Sequence, residues 1–109
     1  MSDQPVITFY LGSNVFESLN EMAISRGLTV SQLIRELLFL YYQELSEVPP
    51  FLFGGEMKGD LVKVSVRLDQ FLLQQVNQIA SRRCSPRNSL VHSLLYSLLV
   101  ANSLDSSID

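Results

Sequence analysis

Residues 6–11 read VITFYL and residues 62–68 read VKVSVRL. Both segments alternate with a period of two and are rich in β-branched and aromatic residues, which predicts two short β-strands. The apolar faces carry Ile7, Phe9 and Leu11 in the first segment and Val62, Val64, Val66 and Leu68 in the second. The opposite faces carry Val6, Thr8 and Tyr10, and Lys63, Ser65 and Arg67. Each strand is therefore expected to turn one face to a core and the other outward.

The two segments belong to a longer pattern that recurs after 57 residues. With that shift the helical stripe Val15, Leu19, Met22 and Ala23 falls on Leu72, Val76, Ile79 and Ala80. Ile34, Leu37 and Leu38 likewise fall on Val91, Leu94 and Leu95. Because several periodicities stay in register without a gap, the chain is interpreted as an internal duplication.

Each copy predicts a short helix followed by a longer one. Gly27 ends the first helix of the first copy, and Cys84 replaces that turn glycine in the second. The second helix of the first copy is expected to run to about Leu45. The expected N-caps are Ser13 or Asn14, then Thr29, Asp69 and Ser85, the last followed by Pro86 at the first helical position. The long helices are apolar over more than one stripe, so each should be buried against the other copy.

Length and composition set the broad class. A chain of 109 residues with 47% hydrophobic and 17% charged residues predicts one folded domain and is too apolar for a disordered chain. The apolar stretch of residues 90–101 is too short for a membrane span, and residues 1–5 do not resemble a signal peptide. The single cysteine fits a reducing cytoplasm. One histidine, one cysteine and the absence of a phosphate-loop motif favour neither an enzyme, nor a metal site, nor a cofactor.

Charge is distributed unevenly between the two copies. The net charge is −3 overall, which by itself argues against a nucleic-acid ligand. Residues 1–50 hold six acidic and two basic residues, whereas residues 61–103 hold five basic residues and one acidic residue, Asp69. A polyanion would therefore meet a locally basic surface on the second copy.

Three segments are expected from these patterns. Residues 1–46 form the first repeat, residues 47–60 a linker with paired prolines and three glycines, and residues 61–109 the second repeat with a short, frayed tail from residue 103. The linker also carries Phe51, Leu52 and Phe53, which are expected to pack on the helical core. Both repeats are expected to form one folded unit.

The order of strand, helix, glycine turn and long helix resembles the ribbon-helix-helix superfamily of the Arc, MetJ and CopG repressors. The likeness rests on residues 7–11, the stripe around Leu19, and residues 27–34, with a second match in residues 64–68, 76–80 and 90–91. The resemblance implies a mostly α-helical fold with a short two-stranded antiparallel β-ribbon. Since the family normally forms homodimers, two copies in one chain imply a single-chain pseudodimer.

The resemblance also implies a sequence-specific regulator that inserts its β-ribbon into the major groove of double-stranded DNA. The base-contacting residues would be those of the outer strand faces: Lys63, Ser65, Arg67, Thr8, Tyr10 and Val6. The phosphate-contacting residues would lie around the N-termini of the long helices: Thr29, Val30, Ser31, Ser85, Arg87 and Asn88, with Arg82 and Arg83 nearby. Several chains could assemble side by side on DNA.

A different class of function stays open on the sequence alone. The first repeat is acidic, and its outward face carries Val6 and Tyr10 rather than basic readers. Those features suit a protein-interaction module, an adaptor or antitoxin-like protein, that keeps the fold and binds DNA weakly or not at all. A protein partner would then contact the acidic first repeat.

Overall fold

The computed structural model describes residues 5–48 and 60–108, with side chains described as far as residue 101. The elements in chain order are β1 (Val6–Gly12), α1 (Ser13–Ser25), α2 (Val30–Tyr41), a 3-10 helix (Tyr42–Ser46), β2 (Leu61–Arg67), α3 (Gln70–Arg82) and α4 (Arg87–Ile108). The chain is mostly helical with a two-stranded antiparallel sheet, and β1-α1-α2 is followed by β2-α3-α4. The predicted fold class, a pseudodimer of two strand-helix-helix repeats, is confirmed.

Strand pairing places a pseudo-twofold axis at the middle of the sheet. β1 and β2 run antiparallel, with Val6 opposite Arg67, Thr8 opposite Ser65 and Tyr10 opposite Lys63. Thr8 and Ser65 are also equivalent under the 57-residue shift. The axis that relates the two repeats therefore passes between these two residues.

The helices obey the same shift. α1 and α3 have equivalent first and last residues, and α2 and α4 begin at equivalent positions. Beyond Tyr41 the first repeat continues as a 3-10 helix, close to the predicted end at Leu45. α4 runs on to Ile108, so the helix continues through the segment from residue 103 that is expected to fray. Residues 103–108 contain no glycine or proline that would end a helix.

Both repeats contribute to one core. The alternating strand residues, the stripes of α1 and α3, and the inner faces of α2 and α4 form a continuous buried cluster. Its largest fully buried side chains are Phe9, Leu11, Leu19, Leu33, Ile34, Leu38, Leu45, Leu68, Leu72, Leu90, Leu94 and Leu95. The edge-to-face contact of Tyr42 with Phe71, with ring centroids 6.2 Å apart, adds a link between the repeats. The predicted packing of Phe51, Leu52 and Phe53 lies outside the described residues.

Two of the four predicted helix caps form as expected. Thr29 and Gln32 make a reciprocal capping box, and the Asp69 carboxylate accepts from the Leu72 amide at 2.7 Å. The other two predictions are wrong. Helix α1 is capped by Gly12, which has no side chain to accept a bond, and the Ser13 amide donates to the Asp60 carbonyl oxygen at the end of the linker at 3.1 Å.

The fourth cap, at the start of α4, is displaced by one residue. The carbonyl oxygen of Pro86 accepts from the amides of Ser89 and Leu90, so Pro86 occupies the N-cap rather than the first helical position. The Ser85 hydroxyl donates to the Arg83 carbonyl oxygen at 3.3 Å instead of capping the helix. Pro86 is the position equivalent to Thr29, which keeps the repeats in register.

The two turns between helices share a left-handed residue. Gly27 has a φ of 70° and Cys84, its equivalent, a φ of 52°. Matching amide bonds close both turns, from Leu28 to the Ala23 carbonyl oxygen and from Ser85 to that of Ala80. Cys84 therefore holds a backbone conformation that costs a non-glycine residue roughly 1–2 kcal/mol.

We expect Cys84→Gly to raise the free energy of unfolding by about 1 kcal/mol, because glycine adopts this conformation without strain. Gly27→Ala is the matched control: a Cβ at Gly27 would meet no atom within 4 Å, so only its φ is penalised. That variant should be destabilised by about 1 kcal/mol. Urea unfolding gives the free energy of unfolding of both variants. A destabilised Cys84→Gly protein would contradict the assignment of a strained backbone to Cys84.

We propose that the two repeats form one folding unit, since β1 pairs with β2 and the core is shared. A chain ending at Ser46 should therefore be unfolded as a monomer, or should dimerise to complete its ribbon. Circular dichroism combined with sedimentation across a concentration series distinguishes these states. A folded, concentration-independent monomer of residues 1–46 would refute the proposal.

Candidate nucleic-acid interface

The outer face of the ribbon gathers the six residues predicted as base readers. Lys63, Ser65 and Arg67 are exposed, Val6 is 54% exposed and Tyr10 is 47% exposed. Thr8, at the pseudo-twofold axis, is half-buried. Alternation along the strands sends the intervening residues, such as Phe9 and Val66, into the core. We call these six residues the reading face.

Antiparallel pairing arranges the reading face in three cross-strand pairs. Arg67 lies beside Val6 at one end, Ser65 beside Thr8 at the centre, and Lys63 beside Tyr10 at the other end. Each end thus presents one cation and one apolar side chain. Both cations belong to β2, so positive charge lies along one strand of the ribbon.

The outer edges of the ribbon are held by the opposite repeat. The Asn88 side chain accepts from the Tyr10 amide at 2.7 Å and donates to the Tyr10 carbonyl oxygen at 3.0 Å. The Ser31 hydroxyl donates to the Ser65 carbonyl oxygen at 2.7 Å. Ser31 and Asn88 are equivalent positions in the first turns of α2 and α4. Because an exposed strand edge otherwise presents unpaired backbone groups, these bonds fix the ribbon on the helices.

These contacts change how the predicted phosphate residues at the long helices can act. The side chains of Ser31 and Asn88 are bonded to the ribbon, the Thr29 hydroxyl accepts from the Gln32 amide, and Val30 is buried. Their side chains are thus engaged within the protein. A phosphate at this helix end would instead meet backbone amides of the first turn, as helix N-termini provide.

The three arginines near the second turn differ in their surroundings. Arg83 donates to the carbonyl oxygens of Leu45 and Val48, which clips the end of the first repeat to the second. Arg87 donates to the Asn77 side chain at 2.9 Å, while Arg82 is exposed. Arg83 therefore has a structural contact that sequence reasoning did not anticipate. Arg82 is exposed, and Arg87 is half-buried at the surface.

Sequence reasoning missed Arg35. A cavity of about 340 Å³ beside β2 is lined by Ser31, Gln32, Arg35, Ser65 and Arg67. It brings two arginines from different elements together at the start of α2. Arg35 also borders a neighbouring cavity that holds Glu36 and Asp69. The available signal was its spacing, because Arg35 lies four residues after Ser31 and so shares its helical face.

The position equivalent to Arg35 is His92, and its environment is the opposite. His92 is fully buried in α4, and its Nε2 accepts from the Gly12 amide at 3.2 Å, at the end of β1. Burial lowers the pKa of His92, because desolvation disfavours the charged ring. A neutral ring is also what the acceptor role requires.

Within residues 5–48 and 60–101, no carboxylate forms an ion pair with Lys63, Arg67 or Arg35 within 4.0 Å. The same part of the chain holds no group of three His, Cys, Asp or Glu residues suited to a metal ion. Its helices include none long and apolar enough to cross a membrane.

Comparison with known proteins gives one match. Residues 6–45, which span β1, α1, α2 and most of the 3-10 helix, match the family of ribbon-helix-helix proteins of the CopG type. No curated protein and no solved structure matches the chain. The matched segment is the first repeat, whose strand pairs with its counterpart in the second.

We expect His92 to make folding stability depend on pH. The unfolded ring titrates near 6.5 and the buried ring below that, so the unfolded state binds the proton first as pH falls. Stability should be constant above about pH 7 and should decline below about pH 6.5, by at most about 1.4 kcal/mol per pH unit.

His92→Gln is the informative variant, since the amide oxygen of Gln can still accept from Gly12 without titrating. Urea midpoints between pH 7.5 and 5.5 should fall for the unaltered chain and stay flat for the variant. The sequence has one histidine, so no second imidazole contributes to this window. Equal pH profiles for the two proteins would exclude the assigned role.

Proposed function

Residues 6–45 belong to the CopG-type ribbon-helix-helix family, and from that premise we propose that the chain is a sequence-specific, DNA-binding regulator of transcription. Members of this family are typically regulators that bind double-stranded DNA, not enzymes. The ligand is duplex DNA, and the ribbon enters its major groove. A regulator of this kind acts in the cytoplasm, where the free Cys84 stays reduced.

The observation that carries the proposal is an exposed reading face on a rigidly held ribbon. A major groove about 12 Å wide admits two strands, whose axes lie about 5 Å apart. Arg67 and Lys63 suit the O6 and N7 acceptors of guanine, and Ser65 and Thr8 can contact any base edge. Val6 and Tyr10 suit the methyl group of thymine.

Phosphate contacts would position the ribbon without reading sequence. The first-turn amides around Thr29, Val30 and Ser31 lie beside β2, and those around Ser85, Arg87 and Asn88 lie beside β1. Pro86 lacks an amide hydrogen, and the amide of its equivalent, Thr29, donates to the Gln32 side chain, so neither N-cap amide is available to a phosphate. Arg82 supplies an exposed charge and Arg87 a charge bonded to the Asn77 side chain, whereas Arg83 donates to the Leu45 and Val48 carbonyl oxygens.

The acidic net charge is compatible with this function, because the field that a duplex meets is local. Acidic side chains concentrate on the helices of the first repeat, where Glu17, Glu21 and Glu36 are exposed. The reading face carries two cations and no carboxylate. Affinity should therefore come from a small number of phosphate and base contacts.

A protein-interaction function is the second candidate, and the surface of α2 favours it. Phe39 is 63% exposed and Leu40 59% exposed. Beside Phe39 lies a cavity of about 370 Å³ whose wall includes Leu28 and Leu72. Apolar side chains of this size on an acidic repeat suit a protein partner. In that case duplex DNA would bind weakly, with little dependence on salt.

We expect the full chain to bind duplex DNA with an affinity that falls steeply as salt rises, by a logarithmic slope of about −0.9 per phosphate contacted. Arg67→Ala and Lys63→Ala should weaken binding more than Thr8→Ala or Tyr10→Ala, since base contacts by these cations are worth about 1–3 kcal/mol each. Fluorescence anisotropy over a salt series measures both effects.

Arg87→Ala serves as the comparison for a phosphate contact: it should weaken all sequences alike and reduce the slope by about 1. All five variants change exposed or half-buried side chains, so thermal unfolding should show that each still folds. If the salt slope is close to zero and the four strand variants match the unaltered chain, the DNA-binding function fails and the protein-interaction function gains.

A further inference from the structure

The ribbon has two flanks, and the structure makes them chemically different. The β2 flank consists of Ser31, Gln32, Arg35, Ser65 and Arg67, which line one cavity. The 57-residue shift maps these positions on Asn88, Ser89, His92, Thr8 and Tyr10. None of these five equivalent positions on the β1 flank holds a cation, since His92 is buried and its pKa is lowered by burial.

The equivalent residues of the two flanks also differ in burial and in hydrogen bonding. Ser89 and His92 are buried, and Asn88 is bonded to both backbone groups of Tyr10. On the β2 flank, by contrast, Gln32, Arg35 and Arg67 are exposed. Lys63 lies on the same strand as Arg67 and is exposed as well. Three cations thus lie along β2, and the equivalent positions along β1 carry none. Arg87, next to Asn88 at the start of α4, donates to the Asn77 side chain.

A ribbon of this length has one way to lie in a major groove. Seven residues of strand extend for about 23 Å, roughly twice the width of the groove, so the strands run along it. Each strand then lies closer to one of the two sugar-phosphate backbones. Side chains of β2 consequently meet one DNA strand and side chains of β1 the other.

We propose, on the basis of the DNA-binding function above, that the ribbon binds the two DNA strands unequally and that its two guanine contacts fall on the same strand. Arg67 and Lys63 are separated by four residues, about 13 Å, which corresponds to about four base pairs at 3.4 Å each. Arg35 contacts a phosphate of that strand from the cavity it shares with Arg67. Val6 and Tyr10 contact the other strand through apolar groups.

This arrangement differs from what a ribbon of two identical strands would read. Identical strands related by a twofold axis would place equivalent cations on opposite DNA strands and would select a palindrome. Here the axis through Thr8 and Ser65 relates cations to apolar residues. The selected subsite should therefore be directional, with one orientation preferred over its reverse.

Selection of the full chain on a random duplex library tests the proposal. We expect enrichment of two guanines on one strand, centred about four base pairs apart, with no dyad symmetry. Arg67→Ala should abolish preference at one guanine and Lys63→Ala at the other, with a loss of roughly five- to 150-fold for the selected site. Arg26→Ala, which removes an exposed cation at the C-terminal end of α1 and outside the reading face, is the control and should retain both guanines.

Phosphate ethylation of the selected site, one strand at a time, tests the role of Arg35. Interference should be stronger on the guanine-bearing strand, and Arg35→Ala should weaken it there while lowering the salt slope by about 1. Base preferences should be unchanged in this variant. Equal interference on both strands, or no change with Arg35→Ala, would overturn the proposal that the two DNA strands are bound unequally.

The outcomes separate this proposal from the function it rests on. A palindrome, guanines on opposite strands, or a motif without paired guanines would overturn the same-strand arrangement and leave DNA binding intact. Absence of any enriched sequence together with a flat salt dependence would instead refute the DNA-binding function itself.

Discussion

Pairing of β1 with β2 is the interaction on which the rest of the structure depends. A single strand cannot satisfy its own backbone groups, and each strand here finds its partner in the other repeat. That pairing sets the pseudo-twofold axis between Thr8 and Ser65, turns the reading face outward and closes the core beneath. The remaining edge groups of Tyr10 and Ser65 are bonded to Asn88 and Ser31, again from the opposite repeat.

Because both repeats lie in one chain, equivalent positions need not carry the same residue, as they must in a homodimer. A homodimer must use the same residue at both copies of a position, whereas this chain uses Arg35 at one and a buried His92 at the other. One turn holds Gly27 and the other a left-handed Cys84. The reading face shows the same divergence, with both of its cations on β2. The backbone stays symmetric while the surface chemistry does not.

Much of the fold follows from local patterns in the sequence. Alternation identified both strand faces, and the 57-residue shift placed α3 and the start of α4 in register with α1 and α2. Features that depend on distant partners could not be predicted that way. The Asp60 carbonyl oxygen accepts from the Ser13 amide at the start of α1. Asn88, predicted as a phosphate contact, bonds Tyr10 across 78 residues, and the phosphate role of its neighbours stays a prediction. Arg35 joins Arg67 only once α2 packs beside β2.

The central claim is that the paired ribbon is the surface that meets DNA. Amide chemical shifts of the isotope-labelled full chain, titrated at low salt with a mixed-sequence duplex, test it most directly. The account predicts that the largest changes fall on β1 and β2 and on the first turns of α2 and α4, while amides near Leu45 and Val48, at the clip formed by Arg83, stay unchanged. Changes centred on Phe39 and Leu40 of α2, with the ribbon unaffected, would contradict it.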